Sequence, residues 1–176
     1  TSFIHHLLVE GGVKAALGGN IGDSFAMQVA IQAIPEVYVL EVSSFQLEDL
    51  ERFRPQIGLL LNITPDHLDR YEGKMELYGR AKFQLTRFQQ AEDVWILNGE
   101  DEWTKKLASK YTSKAQLKTF GWNHFHNAFK QGNTISAKGH DFQLKNVRLL
   151  GPHNQMNTMA AILAVQEWGL SKEAIQ

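Results

Sequence analysis

Three short runs of apolar and β-branched residues, separated by longer helical patterns, constrain the fold of this chain more than any other feature. The runs occupy Val37–Val42, Ile57–Ile63 and Val94–Leu97. Each has the length of a strand, and its near-continuous hydrophobicity is typical of a strand that helices cover on both faces. Helical patterns occupy Phe25–Ile34, which Pro35 closes, and Met75–Phe88. This alternation predicts an α/β fold with a doubly wound, mostly parallel sheet.

The last third of the chain follows a different pattern. Between Thr134 and Leu150, Gly139 and the histidine after it separate short runs of alternating polarity. Such runs predict a small antiparallel β appendage on the parallel sheet. A final helix is predicted from about Asn154 to Trp168, with Gly169 in the position where glycine ends helices.

Composition restricts the classes of protein to which the chain can belong. Its 176 residues, 43% of them hydrophobic, suit one domain with a full core. The 18 basic and 19 acidic side chains nearly cancel, so no long-range field favours nucleic acid or an anionic membrane. The absence of cysteine excludes disulfides and thiolate metal sites, and no stretch has the apolar length of a membrane span. We therefore expect a protein of the reducing cytosol that binds neither nucleic acid nor a membrane.

An acidic residue, Glu41, lies near the end of the first apolar run. In parallel sheets, ligands gather at the carboxyl ends of the strands. A carboxylate there is one way to hold Mg²⁺, which takes one or two carboxylates together with phosphate oxygens. Alternatively, Glu41 caps a helix or forms a salt bridge at the rim of the sheet, and the pattern leaves both possibilities open.

The second apolar run continues into Thr64-Pro65-Asp66-His67. Threonine is a good N-cap and proline a good first helical residue, so Asp66 and His67 are predicted to lie in the first turn of a helix. The free N–H groups of that turn would form an anion site. His67 would then ligate a metal or contact a carboxylate or phosphate. The alternative is that Asp66 only complements the helix dipole while His67 faces solvent.

A lysine lies on the apolar face of the next predicted helix. Lys82 shares a stripe of 3-4-3 spacing with Met75, Tyr78 and Leu85. An inward-facing lysine must extend to solvent, find an anion or lose its charge. Periodicity does not separate an ordinary lysine of this kind from a chemically special amine at an active site.

Asparagines in two further segments are suited to ligand binding. Asn20 is surrounded by three glycines, which permit tight turns and close approach to a ligand, although such strings also form ordinary turns. Asn154 and Asn157 are three residues apart at the start of the last helix, so their amides share one face. An amide offers both a donor and an acceptor to a base edge.

Five strings, in this order, resemble sequences of the Mur ligase family. They are Gly18–Gly22, Leu40–Glu48, Asn62–Tyr71, Ala81–Lys82 and Gly151–Asn157. They span nearly the whole chain, and five in register are far more specific than any one alone. The Ser-Ser-Phe-Gln string within the second favours the branch of the family that adds D-glutamate.

The resemblance implies a reaction and a cellular context. It implies the central, P-loop NTPase-like domain of a three-domain bacterial ligase that is cytoplasmic and, at full length, a monomer. The substrates would be ATP, UDP-N-acetylmuramoyl-L-alanine and D-glutamate, with Mg²⁺ as cofactor. ATP would phosphorylate the terminal carboxylate to an acyl phosphate, and the amine of D-glutamate would displace the phosphate to form an amide.

The resemblance also implies roles for individual residues. Glu41, His67 and Lys82 would be catalytic and would bind metal, Lys82 after its amine has taken up CO₂ to become an anionic carbamate. His67 would serve a second metal or, alternatively, the amino-acid substrate. Asn20, Ser43 and Gln46 would contact the UDP-muramoyl substrate, and Asn154 and Asn157 would lie near the adenine.

One departure from the family pattern matters. The glycine-rich phosphate loop is absent from the sequence, and Thr1 or Ser2 would correspond to the hydroxyl residue that follows its lysine. The flanking uridine-binding and amino-acid-binding domains are absent too. We therefore expect residues 1–176 alone to be inactive and to bind ATP poorly.

Other functions remain open from the sequence. One is a sister ligase that adds another amino acid, or a folate-type polyglutamate ligase. Another is a nucleotide-binding regulatory or scaffold module that catalyses no reaction. Such a module would not need the combination of Glu41, His67 and Lys82. A dinucleotide-dependent oxidoreductase is disfavoured, because the chain lacks the Gly-x-Gly-x-x-Gly turn and its acidic ribose ligand.

Overall fold

The computed structural model describes residues 1–22, 24–31, 34–144 and 151–176. The strands are β1 (Ala15–Gly19), β2 (Val37–Glu41), β3 (Ile57–Leu60), β4 (Val94–Asn98), β5 (Gln116–Gly121), β6 (Ala128–Gln131), β7 (Thr134–Ala137) and β8 (His140–Gln143). The α-helices are α1 (Ser2–Glu10), α2 (Phe25–Ile31), α3 (Ser44–Glu48), α4 (Met75–Phe83), α5 (Glu102–Ala108), α6 (Pro152–Trp168) and α7 (Lys172–Ile175). Short 3-10 helices cover Leu68–Tyr71 and Gln84–Thr86.

The described strands form two sheets. β1 and β2 pair in parallel. The second sheet has the order β3-β4-β5-β6-β7-β8, parallel as far as β6 and antiparallel from β6 to β8. The predicted α/β fold, mostly parallel with an antiparallel appendage, is therefore confirmed. Within the described ranges, however, β2 and β3 do not pair, so a gap divides the single sheet that the sequence led us to expect.

The core lies on both faces of the larger sheet. On one face, Val94 and Ile96 of β4 belong to an apolar cluster with α1 and the buried middle of α6. On the other face, Trp95 and Leu97 pack in a second cluster with α4 and α5. All five residues of β4 are buried. Helices on both faces confirm the doubly wound arrangement.

Several predicted boundaries are shifted. The strand predicted to reach Ile63 ends at Leu60, and the helix predicted to reach Phe88 ends at Phe83. Beyond Phe83 the chain tightens into a 3-10 turn, in which the hydroxyl of Thr86 donates to the carbonyl of Phe83 over 3.0 Å. Side chains that bond to nearby carbonyls in this way compete with the α-helical pattern.

Glycine marks both ends of the last helix. α6 begins at Pro152, two residues before the predicted start, and Gly151 precedes it with a φ of 97°. Proline is favoured as a first helical residue because its missing N–H would have no partner there. The predicted stop at Gly169 is confirmed, with a left-handed φ of 113° that glycine adopts without steric cost.

The predicted hairpin is confirmed for β7 and β8. Lys138 and Gly139 join them with φ values of 46° and 75°, which suit a two-residue turn that requires positive φ at both positions. The amide of Gln166 on α6 donates to the carbonyl of Ala137 over 3.2 Å and holds the hairpin against the helix. The rest of the predicted appendage, residues 145–150, lies outside the described residues.

A buried carboxylate ties the amino ends of β3 and β4 together. The side chain of Asp93 is 2% exposed and accepts from Arg54 over 2.6 and 3.1 Å and from the backbone N–H of Gln90 over 2.7 Å. The hydrogen bonds from Arg54, which outweigh the effect of burial, lower the pKa of Asp93. The same guanidinium also pairs with the exposed carboxylate of Glu92.

We predict that Asp93→Asn lowers the free energy of unfolding at pH 7 by about 2 kcal/mol, the usual loss for a hydrogen bond to a charged group. Because the pKa of Asp93 is lowered in the folded protein, its contribution is present above the ordinary aspartate pKa of about 4. That contribution is lost as the pH falls through the lower value of the folded state. Urea unfolding should therefore show the full difference between wild type and variant at pH 7 and a smaller one below about pH 4.

Glu92→Gln is the matched control, because it removes the exposed partner of the same arginine. It should destabilise the chain much less than Asp93→Asn, since exposed ion pairs contribute little. Equal losses from the two substitutions would contradict the conclusion that the buried Asp93, and not the exposed Glu92, is the stabilising partner of Arg54.

Candidate functional site

A cavity of about 750 Å³ occupies the gap between the two sheets. Its walls include the length of β2 and of β3, together with parts of α1, α4 and α6. At the carboxyl ends of the strands it is lined by polar side chains from separate elements, namely Thr1, Asn20, Glu41, Ser43, Asp66, His67 and Lys82. Six of the nine residues predicted to form the site therefore share one cavity. The other three, Gln46, Asn154 and Asn157, do not line it.

Glu41 is the last residue of β2 and is half-buried at the edge of the cavity. Its carbonyl accepts from the backbone N–H of Asn20 over 2.7 Å. A Cβ on Gly19, whose φ is 99°, would lie 2.2 Å from that carbonyl oxygen. The close approach of β1 to β2 therefore explains this glycine, which the sequence had suggested as part of a ligand-binding turn.

Ser43 and Gln46 cap α3. The hydroxyl of Ser43 accepts from the backbone N–H of Gln46 over 3.4 Å, and the Gln46 side chain accepts from the Ser43 backbone N–H over 2.9 Å. This reciprocal arrangement is a capping box, which satisfies two N–H groups at the start of a helix. It accounts for both residue types without a ligand, so their contact with substrate stays a prediction.

The prediction of a helix beginning at Thr64 is wrong. No helix covers Thr64–His67, and the hydroxyl of Thr64 donates to the side chain of Asn62 instead of capping a helix. The 3-10 helix begins only at Leu68, and His67 precedes it in the left-handed conformation with a φ of 49°. The anion site expected at an α-helix N-terminus is therefore not formed by these residues.

His67 nevertheless faces the cavity from this irregular segment. Its Nε2 lies 3.6 Å from a carboxylate oxygen of Asp66, and both side chains are 63% exposed. Its ring meets the ring of Phe45 edge-on, with the centroids 6.5 Å apart. A left-handed non-glycine residue is uncommon and clusters at functional sites. The imidazole is thus accessible to a ligand in the cavity.

The prediction that Lys82 points inward along α4 is confirmed. Lys82 is half-buried and lines the cavity, and Tyr78 on the same stripe is buried. The ammonium lies 4.9 Å from the centroid of the Tyr78 ring, within the range of a cation–π contact. In the part of the chain that the structure describes, Lys82 forms no ion pair. The sequence pattern placed Tyr78 on the same stripe as Lys82 but did not single it out as a partner. The spacing of four residues between them does predict a contact on a helix.

The predicted nucleotide residues occupy the starts of two helices. Thr1 stands at the N-cap position of α1, although its side chain makes no capping hydrogen bond. Asn154 and Asn157 are the third and sixth residues of α6, where Asn154 is half-buried and Asn157 exposed. Asn154 is thus inside the helix, three residues past the N-cap, Gly151.

The donors in the cavity fit a metal that takes only part of its ligands from protein. Among the described residues, no three acidic or histidine side chains are grouped so that they could hold a metal by themselves. Glu41, Asp66 and His67 nonetheless line the same cavity. A Mg²⁺ ion that binds phosphate oxygens and water needs only one or two protein carboxylates.

None of the described helices has both the length and the apolar character of a membrane span.

Curated relatives align with the entire chain. The UDP-N-acetylmuramoylalanine–D-glutamate ligase of Porphyromonas gingivalis is 37% identical over 186 residues, which are 100% of this chain and 41% of that protein. The protein of the same name from Bacteroides fragilis is 36% identical over 187 residues, which are 100% of this chain and 40% of that protein. The chain therefore spans about two fifths of the length of these relatives.

Solved structures share the fold. MurF from Acinetobacter baumannii superposes with a TM-score of 0.74 at 18% identity, over 98% of this chain and 41% of that one. The UDP-N-acetylmuramate:L-alanyl-gamma-D-glutamyl-meso-diaminopimelate ligase from Neisseria meningitides gives a TM-score of 0.74 at 19% identity, over 99% and 60%. The family model described as the Mur ligase middle domain matches residues 1–165. Since this match covers most of the chain and the relatives align with all of it, the chain belongs to the Mur ligase family, in which it corresponds to the middle domain.

Proposed function

We propose that this chain is the central domain of a three-domain ligase that uses ATP to join D-glutamate to UDP-N-acetylmuramoyl-L-alanine. The observation that carries the proposal is the common cavity of Glu41, His67 and Lys82, which come from distant parts of the sequence. The names of the curated relatives support the choice of substrates. The reaction would take place in the bacterial cytoplasm, and the full-length enzyme would act as a monomer.

The chemistry requires two anions to meet. The terminal carboxylate of the substrate attacks the γ-phosphorus of ATP, and ADP leaves to give an acyl phosphate. The neutral amine of D-glutamate then attacks the acyl carbon, inorganic phosphate leaves, and the proton that the nitrogen loses passes to the departing phosphate as the amide forms. Mg²⁺, when bound, supplies positive charge that reduces the repulsion between the anions. In this chain, Glu41 and His67 would hold the ion.

Lys82 would contribute an anion of its own. Its neutral amine attacks CO₂, an N–C bond forms and a proton is released, which leaves a carbamate. The half-buried position beside the cavity and the lack of a carboxylate partner among the described residues support this proposal. The carbamate oxygens would join Glu41 and His67 as ligands of Mg²⁺, which prefers oxygen donors.

The remaining site residues would hold the two large substrates. Asn20 and Ser43 line the cavity and would contact the UDP-muramoyl substrate, together with Gln46 from the first turn of α3. Thr1 would face the phosphates at the start of α1. Asn154 and Asn157 would contact the adenine from the start of α6.

The gap between the two sheets is the position where we expect the phosphate-binding strand of the full-length ligase. In the described part of the chain, β2 and β3 each have one strand neighbour, and both are mainly apolar. Exposed apolar strand edges promote aggregation, and folded proteins usually cover them. A strand placed there would connect through α1 to β1, as in a parallel crossover unit. We propose that the strand and phosphate loop of the full-length ligase fill this gap.

The sister-ligase alternative is supported by fold alone. MurF and FolC structures superpose with the chain, but at less than 20% identity. An assay of the full-length enzyme with D-glutamate, L-lysine and L-alanine separates the possibilities. If D-glutamate is not the best amine, the specificity proposed here is wrong.

In the full-length ligase, we predict that Lys82→Ala lowers kcat by at least about 100-fold, the scale of a group that stabilises transition-state charge. Short carboxylates such as acetate should restore part of the activity, because they can supply the missing anion. Lys74→Ala is the matched control, since Lys74 pairs with the exposed carboxylate of Glu72 outside the cavity. Near-normal turnover of Lys82→Ala would remove the lysine from the mechanism.

We predict that residues 1–176 alone show no measurable amide-forming turnover and bind ATP weakly by isothermal titration calorimetry. Extending the chain through the upstream strand and phosphate loop should tighten ATP binding, since backbone N–H groups and a lysine would then reach the phosphates. The extended chain with that loop lysine changed to alanine is the control. Turnover by residues 1–176 would contradict the proposed role of the gap.

A further inference from the structure

One carboxylate oxygen outside the cavity holds two neighbouring residues of the 3-10 helix. Glu48, the last residue of α3, accepts through Oε2 from Nε and Nη2 of Arg70, both over 3.3 Å, and from the hydroxyl of Tyr71 over 3.4 Å. Glu48 does not line the cavity. Its bonds nevertheless fix the 3-10 helix that directly follows His67.

From Arg70, a series of ring contacts leads to His67. The guanidinium of Arg70 lies 5.6 Å from the centroid of Phe45, within the range of a cation–π contact. Phe45 also approaches the His67 ring edge-on. Phe45 and Glu48 are three residues apart and so share a face of α3. That face holds both Arg70 and the imidazole.

From Tyr71, a second series of contacts leads to Lys82. Tyr71 is 4% exposed, and its ring packs against Tyr78 with centroids 5.3 Å apart. Tyr78 lies one helical turn before Lys82 and contacts its ammonium. Glu48 is therefore the common origin of two contact series, one ending at His67 and the other at Lys82.

We propose that Glu48 is a positioning residue that sets the placement of His67 relative to Lys82 at the cavity. This inference rests on the proposed function, because that function gives the two side chains their shared task. Reacting and stabilising groups misplaced by about 1 Å can cost on the order of 100-fold in rate. Exposed ion pairs such as Glu48–Arg70 add little to global stability. Loss of Glu48 should therefore change catalysis more than folding.

The kinetic test uses the full-length ligase. Glu48→Ala should lower kcat by roughly 10- to 100-fold, with KM for ATP and for D-glutamate changed less than about twofold, since the substrate contacts are retained. Glu48→Gln keeps an acceptor oxygen and should fall between Glu48→Ala and wild type. Glu76→Gln is the control, because it breaks the 2.7 Å ion pair with Lys110, which belongs to neither contact series. Its kcat should match wild type.

A second readout needs no turnover. In the full-length ligase labelled with ¹³C at histidine Cε1, the His67 resonance is assigned by its loss in His67→Asn. It should move in Phe45→Leu, which removes the ring that meets the imidazole. It should also move in Glu48→Ala, which releases Arg70 from its place over that ring. It should stay in place in Glu76→Gln. Circular dichroism melting curves would show whether each variant is folded at the temperature of measurement.

The outcomes separate this inference from the proposed function. If His67→Ala and Lys82→Ala abolish turnover while folded Glu48→Ala keeps wild-type kcat and an unmoved His67 resonance, Glu48 is not a positioning residue. If the wild-type full-length ligase shows no D-glutamate-adding turnover, the proposed function itself is wrong, whatever Glu48→Ala does. If His67→Ala and Lys82→Ala retain full turnover, the two side chains have no shared catalytic task and Glu48 cannot act by positioning them. Loss of kcat together with a moved His67 resonance in Glu48→Ala supports both.

Discussion

Burial of β4 on both faces is the constraint on which the rest of the architecture depends. A strand without a polar side must be covered twice, and here α6 covers one face while α4 and α5 cover the other. This requirement places α4 beside β3, so that Lys82 reaches the cavity although it comes from a helix and not from a strand end. The apolar character of four consecutive residues, Val94–Leu97, thus determines where a charged side chain lies.

The gap between β2 and β3 divides the candidate site between two parts of the fold, the small sheet of β1 and β2 and the large sheet that begins with β3. Glu41 belongs to the small sheet, whereas His67 and Lys82 belong to segments that pack on the large one. Among the described elements, α1 contacts both, because it packs against β1 and β2 as well as against α6. Contacts among the segments that pack on the large sheet, including the one between Tyr71 and Tyr78, therefore fix the placement of His67 relative to Lys82. The distance from Glu41 to them depends on contacts across the gap.

The sequence predicted those strands and helices whose own pattern of apolar residues matches the way they are buried in the fold. The β-branched runs became β2, β3 and β4, and the stripe containing Lys82 became one face of α4. β1 was not predicted, because Ala15–Gly19 contains only small residues and one leucine and has no strand propensity of its own. β5 was not predicted either, since only its last two residues are buried and the rest of it has no apolar run. Both strands exist because of their neighbours, which a local pattern does not reveal.

The sequence predicted six residues that share the cavity, but not the local geometry that brings them there. Thr64-Pro65 has the composition of a helix start, yet Thr64 bonds to Asn62 and the helix is delayed past His67. The network around Glu48 left no signal, because its members lie about 22 positions apart and each is an ordinary polar or aromatic residue. Spacing along a chain predicts contacts on one helix, but it does not predict contacts between α3 and a 3-10 helix.

The contact between Lys82 and Tyr78 bears on the chemistry proposed for this lysine. An aromatic ring presents partial negative charge on its face, so it attracts an ammonium and repels a carbamate. The Nζ atom of Lys82 lies 4.9 Å from the centroid of this ring, within the range of that attraction. If Lys82 takes up CO₂ as proposed, the same ring would repel the anionic end of the side chain and favour its turn towards the cavity, where the proposed Mg²⁺ would bind. Tyr78 would thus favour a different direction of the side chain in each charge state, without any movement of α4.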